Sequence, residues 1–279
     1  MNVYRLHNFE DYVKHAAKNQ HSFLKRQALE KSLVEGNHKA FSYSGISYPA
    51  NKLLDFEVDY QYSDGININW RERLVCPVTN LNNRLRCCIH LIDFELGVYP
   101  EDQVYITEAV TSMFTFLSGR YKNIIGSEYL GSEVKPGKII DGVRHEDMTA
   151  LSFADQTFDH YLSFECFEHV PSFGAAVDEV SRVLKPAGTF FGSFPFDLNS
   201  ETNIIRAYID EKGETVHLME PDYHGDPVSE KGILCYTVFG WEFLEQFRQC
   251  GFRDVYLMLV WSDVYGYLGG EQVFFVAKK

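Results

Sequence analysis

The sequence predicts an α/β fold built around a mostly parallel β-sheet. The first observation is the segment Phe158–Phe164, whose near-continuous apolar character suits a strand that is covered on both faces. The second is the run after it, where apolar residues between 173 and 184 recur at helical spacing before another strand at 189–194. A strand, a crossover helix and a strand of these lengths form a right-handed βαβ unit.

The first third of the chain shows a different organisation. Residues 8–35 are predicted to form one helix, because apolar residues share a face and Gly36 follows as a terminator. Residues 38–62 alternate in polarity and are rich in aromatic side chains, which predicts a hairpin. The largely apolar segment 87–96 predicts a second helix. We interpret residues 1–98 as an N-terminal helical and hairpin extension.

Two short segments of this extension are spaced like the metal knuckles of a zinc ribbon. They are residues 47–50 and 76–79, but Cys76 is the only cysteine at the four ligand positions. Structural zinc needs four good donors, so the pattern predicts a degenerate, metal-free zinc-ribbon-like fold. The cysteines of the chain show no framework spacing, and we expect them to be reduced.

Residues 99–279 are interpreted as the core domain. Acidic residues stand where its predicted strands end, and residues 195–235 form an insertion too long for a plain connection, which predicts a lid over an active site. The other predicted elements are strands at 104–108, 123–127 and 143–146, helices at 111–118 and 241–250, and closing strands at 255–261 and 272–277.

The composition excludes several classes of protein. A chain of 279 residues with 45% hydrophobic and 15% aromatic residues can bury a sizeable core. Its net charge of -13 repels polyanions, which argues against nucleic acid and anionic membranes as partners and favours a small-molecule substrate. No apolar stretch is long enough to span a membrane and the N-terminus lacks the features of a signal peptide, so we expect a cytoplasmic protein.

Residues 158–196, FDHYLSFECFEHVPSFGAAVDEVSRVLKPAGTFFGSFPF, resemble the fourth-strand to fifth-strand region of class I S-adenosylmethionine (SAM)-dependent methyltransferases of the type 11-like kind. The step Glu168-His169-Val170 and the RVLKPAG turn are its most specific features. The resemblance implies a seven-stranded, mostly parallel Rossmann-like sheet of order 3-2-1-4-5-7-6 with helices on both faces. It also implies SAM as the cofactor.

The resemblance places the cofactor contacts at strand ends. Glu128 lies ~20 residues after the first strand and would accept hydrogen bonds from the ribose hydroxyls. Asp147, with the neighbouring Met148 amide, would meet the adenine ring, because an acceptor-only carboxylate suits amino and hydroxyl donors. Phe164 would line the rim beside Glu165, although a simple core position is an equal alternative for this ring. The full set of predicted cofactor residues is Glu108, Thr111, Ser112, Glu128, Tyr129, Asp147, Met148, Phe164 and Glu165.

The first cofactor loop departs from the family pattern. A typical member has a glycine-rich E/D-x-G-x-G-x-G loop, whereas Glu108 is followed here by Ala-Val-Thr-Ser-Met. Glycine permits a positive φ and close approach of the backbone to the cofactor. Either Thr111, Ser112 and the helix amides serve the cofactor carboxylate instead, or the fold has lost SAM and is a catalytically silent binding module. A nicotinamide-dependent oxidoreductase is a weaker alternative, because it needs the same glycine loop.

The chain also resembles a bacterial subgroup of this family, over most of residues 70–279. This resemblance implies that the altered first loop is a trait of the subgroup. The shared motifs are Trp70-Arg71-Glu72, Thr107-Glu108, and the segments 126–131, 221–227 and 266–269.

Candidate catalytic residues come from the fourth strand and the predicted lid. Methyl transfer is an in-line displacement, so the protein orients the acceptor and, for an oxygen or nitrogen acceptor, removes a proton. His169 and the lid residues Tyr223, His224 and Asp226 are expected to converge, with His224 beside Asp226 as the first choice of base. A structural role is the alternative for each histidine, and neither shows the partners of a metal site in the sequence.

The sequence thus predicts a methyltransferase that acts on a small molecule, such as a hydroxylated metabolite or a sugar. The N-terminal extension is the expected surface for a homodimer. The acceptor itself is not encoded in any motif of the chain.

Overall fold

The computed structural model describes the backbone of residues 1–36, 39–226 and 229–279, and their side chains except those of residues 226 and 229–231. The first elements along the chain are β1 (Asn2–Leu6), α1 (Phe9–Val34), β2 (Ala40–Ser47), β3 (Lys52–Asp59) and α2 (Asn83–Leu91), and a π-helical turn at Ile92–Leu96 follows.

The middle of the chain holds the predicted βαβ unit. The elements of this part of the chain are β4 (Gln103–Ile106), α3 (Ser112–Ser118), β5 (Asn123–Gly126), β6 (Ile139–Ile140), β7 (Val143–Arg144), β8 (Phe158–Phe164), a 3₁₀ turn at Phe167–His169, α4 (Phe173–Val183) and β9 (Leu184–Ser193). The βαβ unit consists of β8, α4 and β9.

Short strands then form the predicted lid region before a last helix and two long strands. These elements are β10 (Ile204–Ile205), β11 (Ala207–Ile209), β12 (Thr215–His217), β13 (Tyr223–Asp226), β14 (Ser229–Leu234), β15 (Thr237–Val238), α5 (Glu242–Gln249), β16 (Asp254–Ser262) and β17 (Tyr267–Lys278).

The main sheet has seven strands in the order β1-β16-β17-β9-β8-β4-β5. Strands β5, β4, β8 and β9 pair in parallel, whereas β17 pairs antiparallel with β9 and β1 pairs antiparallel with β16. The predicted α/β class with a seven-stranded, Rossmann-like sheet is therefore confirmed.

The predicted strand order is wrong at both edges of this sheet. The third strand, expected at 143–146, is reduced to the hairpin β6–β7 and one isolated parallel bridge between Glu128 and His145. The seventh strand is instead β1, which the sequence did not indicate because Leu6 is its only buried residue. A short edge strand with one buried side chain has almost no apolar pattern to detect.

Two compact units divide the chain. The first comprises residues 1–6, 10–98 and 257–274, and the second comprises residues 7–9, 99–256 and 275–279. In the first unit, helix α1 and the antiparallel hairpin β2–β3 lie where the sequence predicted them. Helix α2 begins four residues earlier than predicted, because the Asn82 side chain caps it by accepting a hydrogen bond from the Leu85 amide.

The two predicted knuckle segments meet inside the first unit. The Ser47 hydroxyl and the Cys76 thiol are both buried and lie 3.4 Å apart. Around Cys76 the core consists of Phe56, Val58, Ile68, Leu74 and Leu268. A hydrogen bond and apolar packing thus join the two turns. Among the described helices, none is long and apolar enough to cross a membrane.

Candidate active site

Acidic side chains lie at the ends of adjacent strand segments in the second unit. Glu108 follows β4 and Glu128 follows β5, and both are buried. Strands β4 and β5 are parallel with Ile106 opposite Gly126, so their carboxyl ends meet at one edge of the sheet. The bridge from Glu128 to His145 brings Asp147 to the same edge. The backbone pairing therefore places the three acidic residues that the sequence analysis singled out at one edge of the sheet.

The first loop is held by Glu128. The amides of Ala109 and Val110 donate hydrogen bonds to Glu128 Oε1, at 2.7 and 3.1 Å. No residue from 107 to 112 has a positive φ, so this loop conformation does not require glycine. Thr111 Oγ1 accepts a hydrogen bond from the Phe114 amide at 3.2 Å and caps α3, while Ser112 is exposed. Thr111 thus caps a helix, whereas the sequence analysis assigned it only to the cofactor.

A glycine is required at the neighbouring strand instead. A Cβ atom on Gly126 would lie 2.5 Å from the Glu108 carbonyl oxygen and 2.6 Å from the Phe114 ring. Real Cβ contacts are not this short, so the first loop can approach β5 only because residue 126 has no side chain. Here the glycine that permits close packing of the first loop is Gly126 in strand β5, and not a residue of the loop itself.

Substituting Gly126 with alanine should therefore displace the first loop. We expect the free energy of unfolding to fall by about 1–3 kcal/mol, as for other overpacked sites, in a urea titration followed by circular dichroism. Gly174→Ala is the matched control, because a Cβ atom there meets open space in α4. It should be neutral or stabilising by up to about 1 kcal/mol. Equal stability of Gly126→Ala and the wild type would contradict this account of the loop.

Asp147 and its neighbours form the adenine end of the predicted site. Asp147 Oδ1 accepts hydrogen bonds from the Thr149 amide at 2.8 Å and the Thr149 hydroxyl at 2.7 Å, which fixes the carboxylate in a turn. Tyr129 is 49% exposed, and its ring lies 5.4 Å from that of His145. Partial burial and the charge of Asp147 raise the pKa of Tyr129. Met148 is half-buried beside this group.

The end of β8 is strained. Glu165 has a φ of +55°, which is unusual for a residue with a side chain. Its amide donates to the Ser193 carbonyl at 2.7 Å, and the Ser193 hydroxyl donates to its Oε1 at 2.8 Å. Phe164 is buried and packs edge-on against Phe191 at 5.6 Å, which is the core position weighed as its alternative.

A second polar cluster follows at the 3₁₀ turn. The Glu168 side chain is fully buried, and its Oε1 lies 3.6 Å from His169 Nε2 and 3.7 Å from His224 Nδ1. The two imidazole rings meet edge-on with centroids 4.9 Å apart. The Tyr236 amide, one residue after the predicted lid, donates a hydrogen bond to the Glu168 carbonyl at 2.7 Å. The predicted convergence of His169 and His224 is thus present in the structure.

His224 faces an acidic residue that the sequence analysis did not name. His224 Nε2 lies 3.8 Å from Asp222 Oδ2. The predicted partner Asp226 has its side chain outside the described residues, and Tyr223 is 58% exposed on β13. Sequence reasoning gave no role to Asp222 or Glu168. The available signal for Glu168 was an acidic residue inside an otherwise apolar, buried segment.

Burial governs the electrostatics of this cluster. Desolvation raises the pKa of Glu168 to about 7, and the neighbouring Glu168 carboxylate raises the pKa of His224. Burial also raises the pKa of the Cys166 thiol far above its usual range, and the charges of Glu108, Glu168 and Glu128 add to this shift. The Cys166 thiol lies 3.6 Å from the carbonyl of Thr107, the residue before Glu108, and Cys166 stands two residues before Glu168 in the chain. The backbone at Cys166 thus connects the end of β8 with the cluster at the 3₁₀ turn.

One family model matches the segment that carries part of this edge of the sheet. Residues 116–192 match the model of a family described as a methyltransferase domain. This segment of the chain is therefore similar to a methyltransferase domain. The match contains Glu128, Asp147 and the Glu168-His169 step. It begins after the first loop, which departs from the glycine-rich pattern.

Solved methyltransferase structures are similar to this chain over about 70% of its length, with low TM-scores. One is a 1,6-didemethyltoxoflavin-N1-methyltransferase from Burkholderia thailandensis, with bound 1,6-didemethyltoxoflavin and S-adenosylhomocysteine (17% identity, 70% of this chain and 77% of that chain, TM-score 0.40). Another is an S-adenosylmethionine-dependent methyltransferase from Mesorhizobium loti (12% identity, 70% and 100%, TM-score 0.41). A comparison with curated proteins found no match. Overlaps at these scores do not indicate an acceptor.

Proposed function

We propose that this protein transfers a methyl group from SAM to a small-molecule acceptor. The observation that carries the proposal is the set of three carboxylates, Glu108, Glu128 and Asp147, at adjoining strand ends. Glu128 and Asp147 lie in the segment that matches a methyltransferase domain. SAM presents hydrogen-bond donors along its length, namely the adenine amino group, the ribose hydroxyls and the methionine ammonium group. Acceptor-only carboxylates match these donors and form short, charge-assisted bonds with them.

The residues present fit this cofactor. Glu128 accepts two amides of the first loop, and a carboxylate can accept about four hydrogen bonds, so holding the loop and binding a ribose are compatible. The turn at Asp147 fixes its carboxylate before any ligand arrives, which lowers the ordering cost of binding. The exposed face of Tyr129 beside it offers a surface for the adenine ring.

The loop geometry favours this function over a silent binding module. The silent module was suggested by the missing glycines of the first loop. The loop needs none, because its φ angles are negative and Gly126 supplies the close approach. The absence of glycine from the first loop is therefore compatible with a cofactor site that keeps the three carboxylates.

The acceptor side of the proposed site is the cluster at the 3₁₀ turn. The Cys166 thiol lies 3.6 Å from the Thr107 carbonyl beside Glu108, and Glu168 follows two residues later, so an acceptor near His224 would be on the side of the first cofactor loop. Polar side chains suit an acceptor with hydroxyl groups, such as a hydroxylated metabolite or a sugar. The net charge of -13 further favours a small molecule over nucleic acid.

Calorimetric titration with SAM and with S-adenosylhomocysteine tests the proposal. We expect saturable binding of both by the wild type and affinity lower by about tenfold or more in Glu128→Gln and Asp147→Asn, because each loses a charge-assisted hydrogen bond. These substitutions keep the oxygen that the local amides need, so the loop and the turn should survive. NAD serves as the competing ligand and should give no heat.

The control is Glu133→Gln, which removes one charge from an exposed position of the same domain. It should bind both sulfur nucleosides like the wild type. Absence of saturable binding by folded protein, or unchanged affinity in Asp147→Asn, would contradict the proposed function.

A further inference from the structure

The cluster at the 3₁₀ turn has the spacing of ligands around a single ion. Glu168 Oε1, His169 Nε2 and His224 Nδ1 lie within 4.8 Å of one another, and Oε1 is 3.6 and 3.7 Å from the two nitrogens. These separations exceed those of hydrogen bonds, which are about 2.7–3.2 Å. Tetrahedral zinc with bonds of about 2.0–2.1 Å places its ligand atoms about 3.3–3.4 Å apart. A small inward shift would therefore complete the coordination.

Each histidine presents one ring nitrogen to Glu168 and has a hydrogen-bond acceptor behind its other nitrogen. His169 Nδ1 lies 2.9 Å from the Leu234 carbonyl, which can only accept, so Nδ1 carries the proton and Nε2 of the neutral ring is the acceptor nitrogen. In His224, carboxylates face both ring nitrogens, Asp222 at Nε2 at 3.8 Å and Glu168 at Nδ1 at 3.7 Å, so a metal ion can replace the proton at Nδ1 while Nε2 keeps a proton that faces Asp222. A carbonyl or carboxylate behind the imidazole is the usual support of a metal-binding histidine.

Glu168 supplies the independent evidence. Its side chain is fully buried, and neither carboxylate oxygen accepts a hydrogen bond from any described residue. A buried carboxylate is costly unless it is paired or binds a metal. The nearest polar atoms of the two histidines are 3.6 and 3.7 Å from that carboxylate, beyond ordinary hydrogen-bond distance, so a metal ion between the three groups would satisfy it better than either ring does.

We propose that Glu168, His169 and His224 bind a divalent metal ion, with zinc as the ion that this ligand set suits best. Two histidines and one glutamate are a known zinc set that leaves one coordination position open. Cys235 lies close to Asp222 and His224 but its thiol donates to the Thr237 carbonyl at 3.5 Å, so it is not part of the set. The inference revises the sequence-based expectation that neither histidine has the partners of a metal site.

A role for the ion rests on the proposed function. An ion with an open position, beside Cys166 and the strand-end carboxylates, would hold an acceptor through a hydroxyl oxygen and make that hydroxyl more acidic. The acceptor would then be a molecule with a metal-binding hydroxyl group, and His224 would act as a ligand instead of a base.

The test uses the full chain with no SAM and no acceptor. Protein stripped with a chelator is titrated with zinc in calorimetry against a competing chelator. We expect one ion per chain in the wild type and affinity lower by about 100-fold or more in Glu168→Gln and in His224→Gln. His217→Gln is the matched control, because it removes an exposed lid histidine outside the cluster, and it should bind like the wild type. Circular dichroism of each variant verifies that it is folded.

X-ray absorption of the zinc-loaded protein gives a second readout. We expect nitrogen and oxygen ligands only, whereas a sulfur ligand would place the ion at Cys235 and overturn the assignment. Failure of the folded wild type to bind zinc, or unchanged affinity in folded His224→Gln, would also overturn it. Because zinc and SAM are titrated separately, loss of one result leaves the other proposal standing.

Discussion

Replacing Glu271 with glutamine should lower the free energy of unfolding by about 3–5 kcal/mol, the range for removing one partner of a buried ion pair. In the first unit, Glu271 accepts hydrogen bonds from His15 Nε2 and Arg26 Nη1, each at 2.8 Å, and its side chain is only 7% exposed. Asn19 donates to His15 Nδ1 at 3.1 Å, which leaves the His15 proton on the nitrogen that faces Glu271. The variant would strand the Arg26 charge in a buried position.

Urea unfolding followed by tryptophan fluorescence measures the effect, since Trp70 and Trp261 both belong to this unit. Glu10→Gln is the matched control, because Glu10 pairs with Lys14 on the exposed face of α1, the helix that also carries His15 and Arg26. That change should alter stability by less than about 0.5 kcal/mol. A loss no larger in Glu271→Gln than in Glu10→Gln would contradict the assignment.

The same group predicts the pH dependence of stability. Burial alone would raise the pKa of Glu271, but hydrogen bonds and charges from His15 and Arg26 outweigh it and hold the pKa below its ordinary value. A carboxyl group with a lowered folded-state pKa contributes stability that is present above its unfolded pKa, about 4.3, and lost as the pH falls. Acidification should therefore destabilise the wild type more than Glu271→Gln.

Substituting Gly269 with alanine is the second large effect that we expect. Gly269 has a φ of +86°, and a Cβ atom there would overlap the Cβ atom of Trp70. The positive φ and the overlap together should lower the free energy of unfolding by about 2–5 kcal/mol. Gly266, in the same segment 266–269, has a φ of +62° and lies against the Phe56 ring. The backbone conformation and the close packing therefore explain why both positions hold glycine.

Gly270→Ala separates the two contributions. Gly270 has a φ of +82°, but a Cβ atom there meets nothing within 4 Å. It should cost only about 1–2 kcal/mol, the conformational part alone. Denaturant titrations of the two variants give the difference directly, and equal losses would show that the contact with Trp70 has no energetic consequence.

Strong periodicity made the centre of the fold predictable. The apolar run of β8, the helical spacing of α4 and the long pattern of α1 are local signals, and these elements lie within one or two residues of the expected ranges. The edges of the sheet were not predictable in this way. Strand β1 is stabilised by pairing with β16. The third strand of the predicted order is reduced to the two-residue strand β7, which pairs with β6 across the turn at Asp141 and Gly142.

The candidate site shows the same division. Spacing after predicted strands located Glu108, Glu128 and Asp147, because parallel strands present their ends at one edge. The contact between Glu128 and the loop amides depends on the register of β4 and β5, which no local pattern reveals. The approach of His224 to within 3.7 Å of Glu168 joins the 3₁₀ turn to a hairpin that is distant in the sequence. The homodimer through residues 1–98 and the cytoplasmic location stay predictions.

The most direct test of the central claim is a crystal structure of the protein with S-adenosylhomocysteine. The account predicts the ribose hydroxyls within hydrogen-bond distance of Glu128 and the adenine beside Asp147 and Tyr129, with the sulfur on the side of Cys166. A sulfur nucleoside bound elsewhere, with Glu128 and Asp147 out of contact with it, would contradict the assignment of this edge of the sheet as the cofactor site.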